Sequence, residues 1–320
     1  MKVPRTVRRV AAGVFVALAL AFFAYTLADA WNETNGRLPS IARLGGAALL
    51  VAIGLLAAAA AWANLVATER RLDHGASFLV SQLGKYVPGA IWQAAGLVSL
   101  TKSVGVRVGR SVTAFTVMAL TQAVAGGLFA LLLAFAWSSI SILPRVLLGL
   151  GGVVVVAFLD RRWMVKLLHV IPRTRSASLD VVPPQMAIIR AWLASVVTLA
   201  ATSAAYLLLL GSFGVVHHPV RVFAAYAVAW TVGFLAVPIP SGIGVRETVL
   251  VAMLHGIFPG SVIVAASVYL RLVTVATEGI SAAAASHRVR PARLAAARRA
   301  ADDDGDVVSD EEVPSPRAPR

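Results

Sequence analysis

The chain has 320 residues, of which 58% are hydrophobic, only 14% are charged and none is cysteine. Soluble domains carry about 25% charged residues, so this composition excludes an ordinary soluble protein. The absence of cysteine excludes disulfides, thiolate catalysis and cysteine-based zinc sites. The net charge of +14 comes mainly from basic residues in short loops beside apolar segments, which indicates membrane topology and no nucleic-acid partner.

Eight apolar segments are candidates for membrane helices, and most approach the roughly 20 residues that a helix needs to cross about 30 Å of hydrocarbon. In chain order they are 10–28, 44–67, 112–137, 142–159, 186–210, 222–237, 245–257 and 261–285. The sequence therefore predicts an all-α fold, a polytopic membrane helix bundle of about eight transmembrane helices with broken or re-entrant segments.

The first apolar segment resembles a signal peptide, because Ala28 and Ala30 form an A-x-A-like cleavage site after a basic start. Its apolar run of about 18 residues is longer than a usual signal core, so we expect it to stay in the protein as a helix. Basic residues concentrate in alternate loops, and the positive-inside rule then predicts that both termini are cytosolic in a multi-pass protein of the cytoplasmic (inner) membrane.

The C-terminal end differs in composition from the rest of the chain. Seven of the fifteen acidic residues lie in the last twenty positions, which leaves eight acids against twenty-seven Lys and Arg in 1–300. This end has too little apolar content to form a core. The sequence thus predicts a membrane domain over 1–290 and a disordered cytosolic tail over 291–320.

The first interrupted segment is 77–100, "SFLVSQLGKYVPGAIWQAAGLVSL". It is apolar enough to enter the membrane, yet it contains Lys85 and is broken by Pro88 and Gly89. Lys85 offers a positive charge, and Tyr86 suits the headgroup interface. Two interpretations stay open, a re-entrant gate and an amphipathic helix that lies on the inner leaflet.

The second interrupted segment contains "PIPSGIGVRE". Pro238 and Pro240 cannot continue a helix, whereas Gly242 and Gly244 allow a tight turn. The following helix, 245–257, would be only about 20 Å long, too short to cross alone. Interrupted backbone at membrane depth is tolerated where it is buried in protein or lines a wet cavity. A pair of such segments, one in each half of a transporter, indicates a binding site.

The charged residues after the second break suggest an anion site. The free N–H groups at the start of the new helix and the forked guanidinium of Arg246 both suit a phosphate. Alternatively, Glu247 caps the helix and Arg246 pairs with it or extends to the membrane surface. Arg271 and Glu278 lie seven residues apart on one face of the last span, and they pair with each other or with Glu247 and Arg246.

The motifs "GKYVPGAIWQ" and "PSGIGVRE", followed by "YLRLVT", make the chain resemble the flippase-like transmembrane domain of lysylphosphatidylglycerol synthases and the stand-alone proteins built on it. The resemblance covers most of 10–287 and implies lipid handling. The aminoacyl-transfer domain of those synthases has no counterpart here, so it implies no lysyl transfer. It implies that one set of residues either binds a lipid headgroup or forms the helix breaks beside it. These residues are Lys85, Tyr86, Pro88, Gly89, Gly242, Gly244, Arg246, Glu247 and Arg271.

We therefore expect a protein that binds a phospholipid or lipid-linked headgroup and flips it across the cytoplasmic membrane. The alternative is a non-transporting membrane scaffold or accessory subunit for a lipid-modifying enzyme or glycosyltransferase. The partners considered beside the lipid are a lipid-modifying enzyme or further copies of the same chain in a homo-oligomer. The sequence contains none of the common catalytic or nucleotide-binding motifs, so no enzyme activity and no cofactor is predicted. His217 and His218 lack a nearby third ligand, and no metal site is predicted.

Overall fold

A computed structural model describes residues 28, 31–32, 36, 38–66, 69–86, 92–136, 141–143, 146, 150, 159–170, 182–214, 216–235 and 244–309, with the backbone alone for 134–136, 167, 169–170 and 290–309. These residues form nine main α-helices and one short 3-10 segment. The helices are α1 (Ile41–Val66), α2 (Arg71–Ser81), α3 (Trp92–Ser103), α4 (Val108–Ala136), α5 (Arg161–Val170), α6 (Gln185–Leu210), α7 (Pro219–Leu235), α8 (Val245–Leu254) and α9 (Gly260–Ser309), and the 3-10 segment is Gln82–Tyr86.

The predicted all-α membrane bundle is confirmed. Within the described residues, four helices are long and apolar enough to cross a membrane: Ile41–Val66, Val108–Leu133, Gln185–Leu210 and Gly260–Val289. The helix α7 is also apolar but has only 17 residues. As the sequence predicts, the helix after the second break is short, since α8 has 10 residues.

Several sequence predictions fall on residues outside the described ranges. The segment 10–28 is described only at its last residue, and 142–159 at five positions. The total of about eight transmembrane helices therefore stays a prediction. The helix-breaking residues that lie outside are Pro88, Gly89, Pro238, Pro240 and Gly242.

The packing of α1 against α6 is the most extensive helix contact in the described part of the chain. Small residues let the two helices approach closely: a Cβ on Gly54 would lie 3.2 Å from the Thr198 Cα atom. The Thr198 hydroxyl donates a hydrogen bond of 2.9 Å to the Gly54 carbonyl. Small residues and interhelical hydrogen bonds are typical of membrane helix pairs, where burial of apolar surface alone gives little attraction.

The first interrupted segment turns back on itself. It consists of α2, the 3-10 segment and α3, with 87–91 outside the described residues. A Cβ on Gly84 would lie 2.9 Å from both the N and the Cα atom of Gln93, so the 3-10 segment lies directly against the start of α3. The segment is therefore a hairpin, which we call hairpin 1, and not a single straight crossing.

The second interrupted segment forms another hairpin, hairpin 2, made of α7 and α8. Near the start of α7, Arg221 donates a hydrogen bond of 2.8 Å to the Met253 carbonyl at the end of α8. At the other end, Arg246 of α8 lies beside Tyr226 and Trp230 of α7. The two helices are thus antiparallel. Both hairpins pack against α9.

The last helix extends beyond the predicted domain boundary. Its backbone continues to Ser309, although the sequence predicts a disordered tail from residue 291. The boundary at 290 therefore does not coincide with a helix end. Residues 310–320 lie outside the described ranges, and their disorder stays a prediction.

We expect Gly126→Ala to destabilise the bundle by about 1–3 kcal/mol, the usual cost of overpacking. A Cβ at Gly126 would overlap three side-chain atoms of Thr231 on α7, the most distant at 2.7 Å. Gly109→Ala in the same helix is the matched control, because a Cβ there meets nothing within 4 Å. Thermal unfolding in detergent tests this. Equal melting temperatures for the two variants would contradict close packing of α4 on α7.

A pH-dependent stability is expected from His74 in the short helix α2. The side chain is only 2% exposed, and its Nδ1 atom has no hydrogen-bond partner. Burial lowers the pKa of His74 below 6.5; Arg70 and Arg110 lower it further, and Asp73 opposes them. The unfolded chain therefore binds a proton at a higher pH than the folded protein does.

Stability should accordingly be full above pH 6.5 and fall as the pH drops below it, by at most about 1.4 kcal/mol per pH unit. Melting temperatures measured from pH 7.5 to 5.5 test this, with His74→Gln as the comparison. We expect the wild type to lose more stability than the variant over this range. Parallel profiles would mean that protonation of His74 does not oppose folding.

Candidate functional site

Six charged or phenolic side chains come from both hairpins and α9: two groups that are each paired on α9, and Arg246 next to one of them in the chain. We call these six residues the polar cluster. Hairpin 1 contributes two of them from the 3-10 segment, hairpin 2 contributes two from the start of α8, and α9 contributes two that are seven residues apart. They are Lys85, Tyr86, Arg246, Glu247, Arg271 and Glu278. The helix α9 is therefore the element on which both interrupted segments meet.

Glu278 of α9 connects hairpin 1 to the cluster. Its Oε1 atom is paired with the Lys85 ammonium. Its Oε2 atom accepts a hydrogen bond of 2.8 Å from the Tyr86 hydroxyl. The Glu278 side chain is 5% exposed, so a carboxylate with both oxygens engaged lies inside the protein. Buried charges need such partners, since an isolated carboxylate is strongly unfavourable away from water.

Glu247 connects hairpin 2 to the same helix. Its Oε1 atom pairs with Arg271 at 3.1 Å, and its Oε2 atom accepts a hydrogen bond of 2.8 Å from the Gly244 backbone N–H. This second contact caps α8, as the capping alternative predicts. The backbone turns into the helix at Gly244 with φ 83°, a conformation that favours glycine.

Arg246 differs from the other charged members because no carboxylate pairs with it among the described residues. Its guanidinium carbon lies 5.6 Å from the centre of the Trp230 ring and 6.0 Å from that of Tyr226. A long contact of 3.5 Å joins its NH1 atom to the Tyr226 hydroxyl. Its Nε atom is buried without a hydrogen-bond partner. Two aromatic rings thus replace the counter-ion expected for a partly buried guanidinium.

The aromatic ring of Tyr226 beside Arg246 is itself packed against a second ring. Tyr226 stacks on Tyr206 of α6 with ring centres 4.8 Å apart. Tyr206 is fully buried, and its hydroxyl donates a hydrogen bond of 3.1 Å to the Ile263 carbonyl of α9. The ring that faces the guanidinium is therefore packed against α6, which is in turn hydrogen-bonded to α9.

The cluster lies along the candidate membrane span of α9. Arg271 is eleven residues after Gly260, and the span of α9 runs over thirty residues to Val289. At 1.5 Å per residue the span is about 44 Å long, and Arg271 lies about 16 Å along it, roughly a third of the way from its start. Ionisable side chains at this depth are costly and in membrane proteins usually mark a pathway for a substrate or an ion.

The formal charges of the cluster do not balance. Lys85, Arg246 and Arg271 are cationic, whereas Glu247 and Glu278 are anionic. Two ion pairs cancel four of these charges, and the net charge of +1 remains on Arg246. The arrangement can therefore accept one negative charge next to two aromatic rings.

The structure brings together most of the charged residues selected from the sequence. Lys85, Tyr86, Arg246, Glu247 and Arg271 all belong to the cluster, and Gly244 starts α8. Of the two pairings left open for α9, Arg271 takes Glu247. Glu278 pairs with Lys85, a partner that the sequence did not suggest.

Tyr226 and Trp230 were not selected from the sequence, and Glu278 was considered for ion pairing but not assigned to headgroup binding. Glu278 has a sequence signal, since it is a carboxylate within an apolar span on the same face as Arg271. Tyr226 and Trp230 have only a weak one. They are four residues apart and hence on one face of α7, but aromatic residues at that spacing are common in apolar helices.

Comparison with known protein families identifies this membrane region. The family model described as "Lysylphosphatidylglycerol synthase TM region" matches residues 9–281. This range contains the polar cluster and every candidate span except the C-terminal end of the last one. No curated protein matches the chain.

Proposed function

We propose that this chain, which belongs to the family of the lysylphosphatidylglycerol synthase TM region, binds the anionic headgroup of a phospholipid or lipid-linked molecule at the polar cluster and moves it across the membrane. The family makes the chain a multi-pass membrane protein related to lipid metabolism. The substrate and the movement are our inference from the site.

The observation that carries the proposal is the uncompensated charge of Arg246. A guanidinium at membrane depth is stable when it has a counter-ion, and here the described residues provide aromatic rings and a buried Nε atom without a partner. A phosphate would supply the missing negative charge and accept the forked hydrogen bonds of arginine.

The two hairpins give the proposal its mechanism. Each is joined to α9 by an ion pair. Interrupted helices of this kind offer free backbone groups as polar contacts for a headgroup. The headgroup would enter from the cytosolic leaflet of the cytoplasmic membrane, with both termini in the cytosol. The proposed role involves no covalent step, so the chain would act as a carrier and not as an enzyme.

The experiment is lipid identification after mild detergent purification of the wild type and of Arg246→Ala. We expect the wild type to retain one anionic lipid above its share in the membrane extract. Arg246→Ala should reduce this retention about tenfold or more, since a hydrogen bond to a charged group contributes about 1.5–3 kcal/mol. Arg190→Ala, which removes an exposed arginine of α6, is the matched control.

Folding of each variant is checked by its melting temperature. Lipid retention that is bulk-like in the wild type, or unchanged in a folded Arg246→Ala variant, would reject the carrier. The scaffold for a lipid-modifying enzyme or glycosyltransferase would then be the better interpretation. Specific retention would next be followed by reconstitution with the identified lipid to measure its movement.

A further inference from the structure

The helix α5 has two faces of opposite character, and it shares no residue with the polar cluster. Its Met164 and Leu168 side chains are at most 1% exposed and belong to the apolar core at one end of the bundle. This core includes Val66 at the end of α1, Val106 before α4 and Ile188 near the start of α6. The helix therefore covers an end of the bundle, where the spans reach the membrane surface.

The opposite face of α5 is basic and aromatic. Arg162 and Lys166 are exposed, and Trp163 is 50% exposed between them. The Lys166 ammonium lies 4.4 Å from the centre of the Trp163 ring. Tryptophan with neighbouring Lys and Arg is the composition of helices that lie in the membrane interface, where the ring enters the headgroup region and the cations meet lipid phosphates.

An open cavity of about 460 Å³ adjoins this face. Three of its six lining residues are cationic and one is acidic, which leaves an excess of two positive charges. They are Asp160, Arg161, Arg162, Val165, Lys166 and Gln185. The cavity therefore has the charge that an anionic headgroup requires.

Hydrogen bonds between α5 and the start of α6 hold the walls of this cavity. The Arg161 backbone N–H donates to the Gln185 Oε1 atom at 2.8 Å, and the Gln185 amide donates to the Leu159 carbonyl at 3.0 Å. The Arg161 guanidinium donates to the Pro183 carbonyl at 3.3 Å. Arg161 and Gln185 are thus structural, whereas the exposed Arg162 and Lys166 are available for a charged partner.

We propose that α5 and this cavity form a second lipid site, a surface that binds the phosphate headgroups of anionic phospholipids in the adjacent leaflet. Charge complementarity and the half-exposed Trp163 favour a lipid over a soluble anion, because the ring offers apolar contact to the acyl region beside the cations. This surface does not include Arg246. The second lipid site can therefore be disproved while the proposed carrier is supported, and the reverse.

The test uses Trp163 as a reporter in the full chain reconstituted in phosphatidylcholine vesicles. A minor fraction of the lipid is brominated phosphatidylserine in one set and brominated phosphatidylcholine in the other, because bromine quenches a nearby tryptophan. Subtracting the signal of Trp163→Phe isolates the contribution of Trp163. We expect phosphatidylserine to quench it about fivefold more effectively, since a basic residue near an anionic lipid contributes about 1 kcal/mol.

In the double variant Arg162→Gln/Lys166→Gln, the ratio of quenching by phosphatidylserine to quenching by phosphatidylcholine should fall close to one. The matched control, Lys102→Gln/Arg107→Gln, removes two exposed charges outside the cavity and should keep the preference. Equal quenching by the two lipids in the wild type would overturn the proposal. An equal loss in the control variant would also overturn it. Stronger competition by inorganic phosphate than by chloride at the same ionic strength would indicate a site for a free anion instead.

Discussion

Glu278→Gln in α9 is expected to lower the free energy of unfolding by about 3 kcal/mol, because it breaks the ion pair that joins hairpin 1 to this helix. Breaking a buried ion pair from one side costs about 3–5 kcal/mol, because the other charge stays buried without compensation. We take the lower end since the Lys85 side chain keeps 27% exposure and can gain some water. Tyr86 would also lose its charged acceptor.

Two further variants distinguish destabilisation by loss of the ion pair from destabilisation by loss of packing. Lys85→Met/Glu278→Leu removes both charges and should recover most of the lost stability, since apolar replacement of a buried pair is often neutral. Tyr86→Phe removes only the hydrogen bond and should cost less than Glu278→Gln. Chemical unfolding of the purified protein measures all three. A double variant as unstable as Glu278→Gln would show that the pairing is not the cause.

Glu247→Ala is expected to have a comparable effect in hairpin 2, about 3–5 kcal/mol, for two reasons. It leaves Arg271 without its carboxylate, and the side chains of this pair are only 12% and 16% exposed. It also removes the acceptor for the Gly244 N–H at the start of α8. A lost cap alone costs about 1 kcal/mol, so most of the effect should come from the ion pair.

Hydrogen exchange distinguishes these contributions. Glu247→Ala should raise amide exchange throughout α8 and near Arg271, whereas Glu247→Gln, which can still accept a hydrogen bond, should affect the start of α8 less. Thr248→Ala is the neighbouring control, because among the described residues the exposed Thr248 hydroxyl donates its hydrogen bond to the Gly244 carbonyl at the same helix start. If Thr248→Ala matched Glu247→Ala, the local helix end and not the contact with α9 would determine stability here.

Hydropathy was enough to predict the helices of the bundle, but it did not predict how the chain turns between them. The spans around α1, α4, α6 and the first part of α9 are long apolar runs, and their ends agree with prediction to within a few residues. The fold-back of hairpin 1 depends on the contact between Gly84 and Gln93, which no periodicity reveals. Helix ends can be read from local composition, whereas the direction of a chain after a break depends on tertiary packing.

The charged residues of the site were also found from the sequence, because ionisable side chains in apolar segments are rare. What the sequence could not supply was the pairing. Lys85 and Glu278 are 193 positions apart, and both α9 charges had more than one plausible partner. The same limit explains the missed Tyr226 and Trp230, whose role depends on how α8 lies against α7.

The opposite signs of the two α9 charges have a consequence for how the protein assembles during synthesis. Arg271 accepts the carboxylate of hairpin 2, and Glu278 accepts the ammonium of hairpin 1. An exchanged arrangement would place Lys85 against Arg271 and Glu247 against Glu278, two like-charge contacts in a medium that screens them weakly. Because α9 follows both hairpins in the chain, the charges of the hairpins have no partner on α9 until this helix is inserted. The order of the two signs along α9 then determines at which position along the helix each hairpin packs.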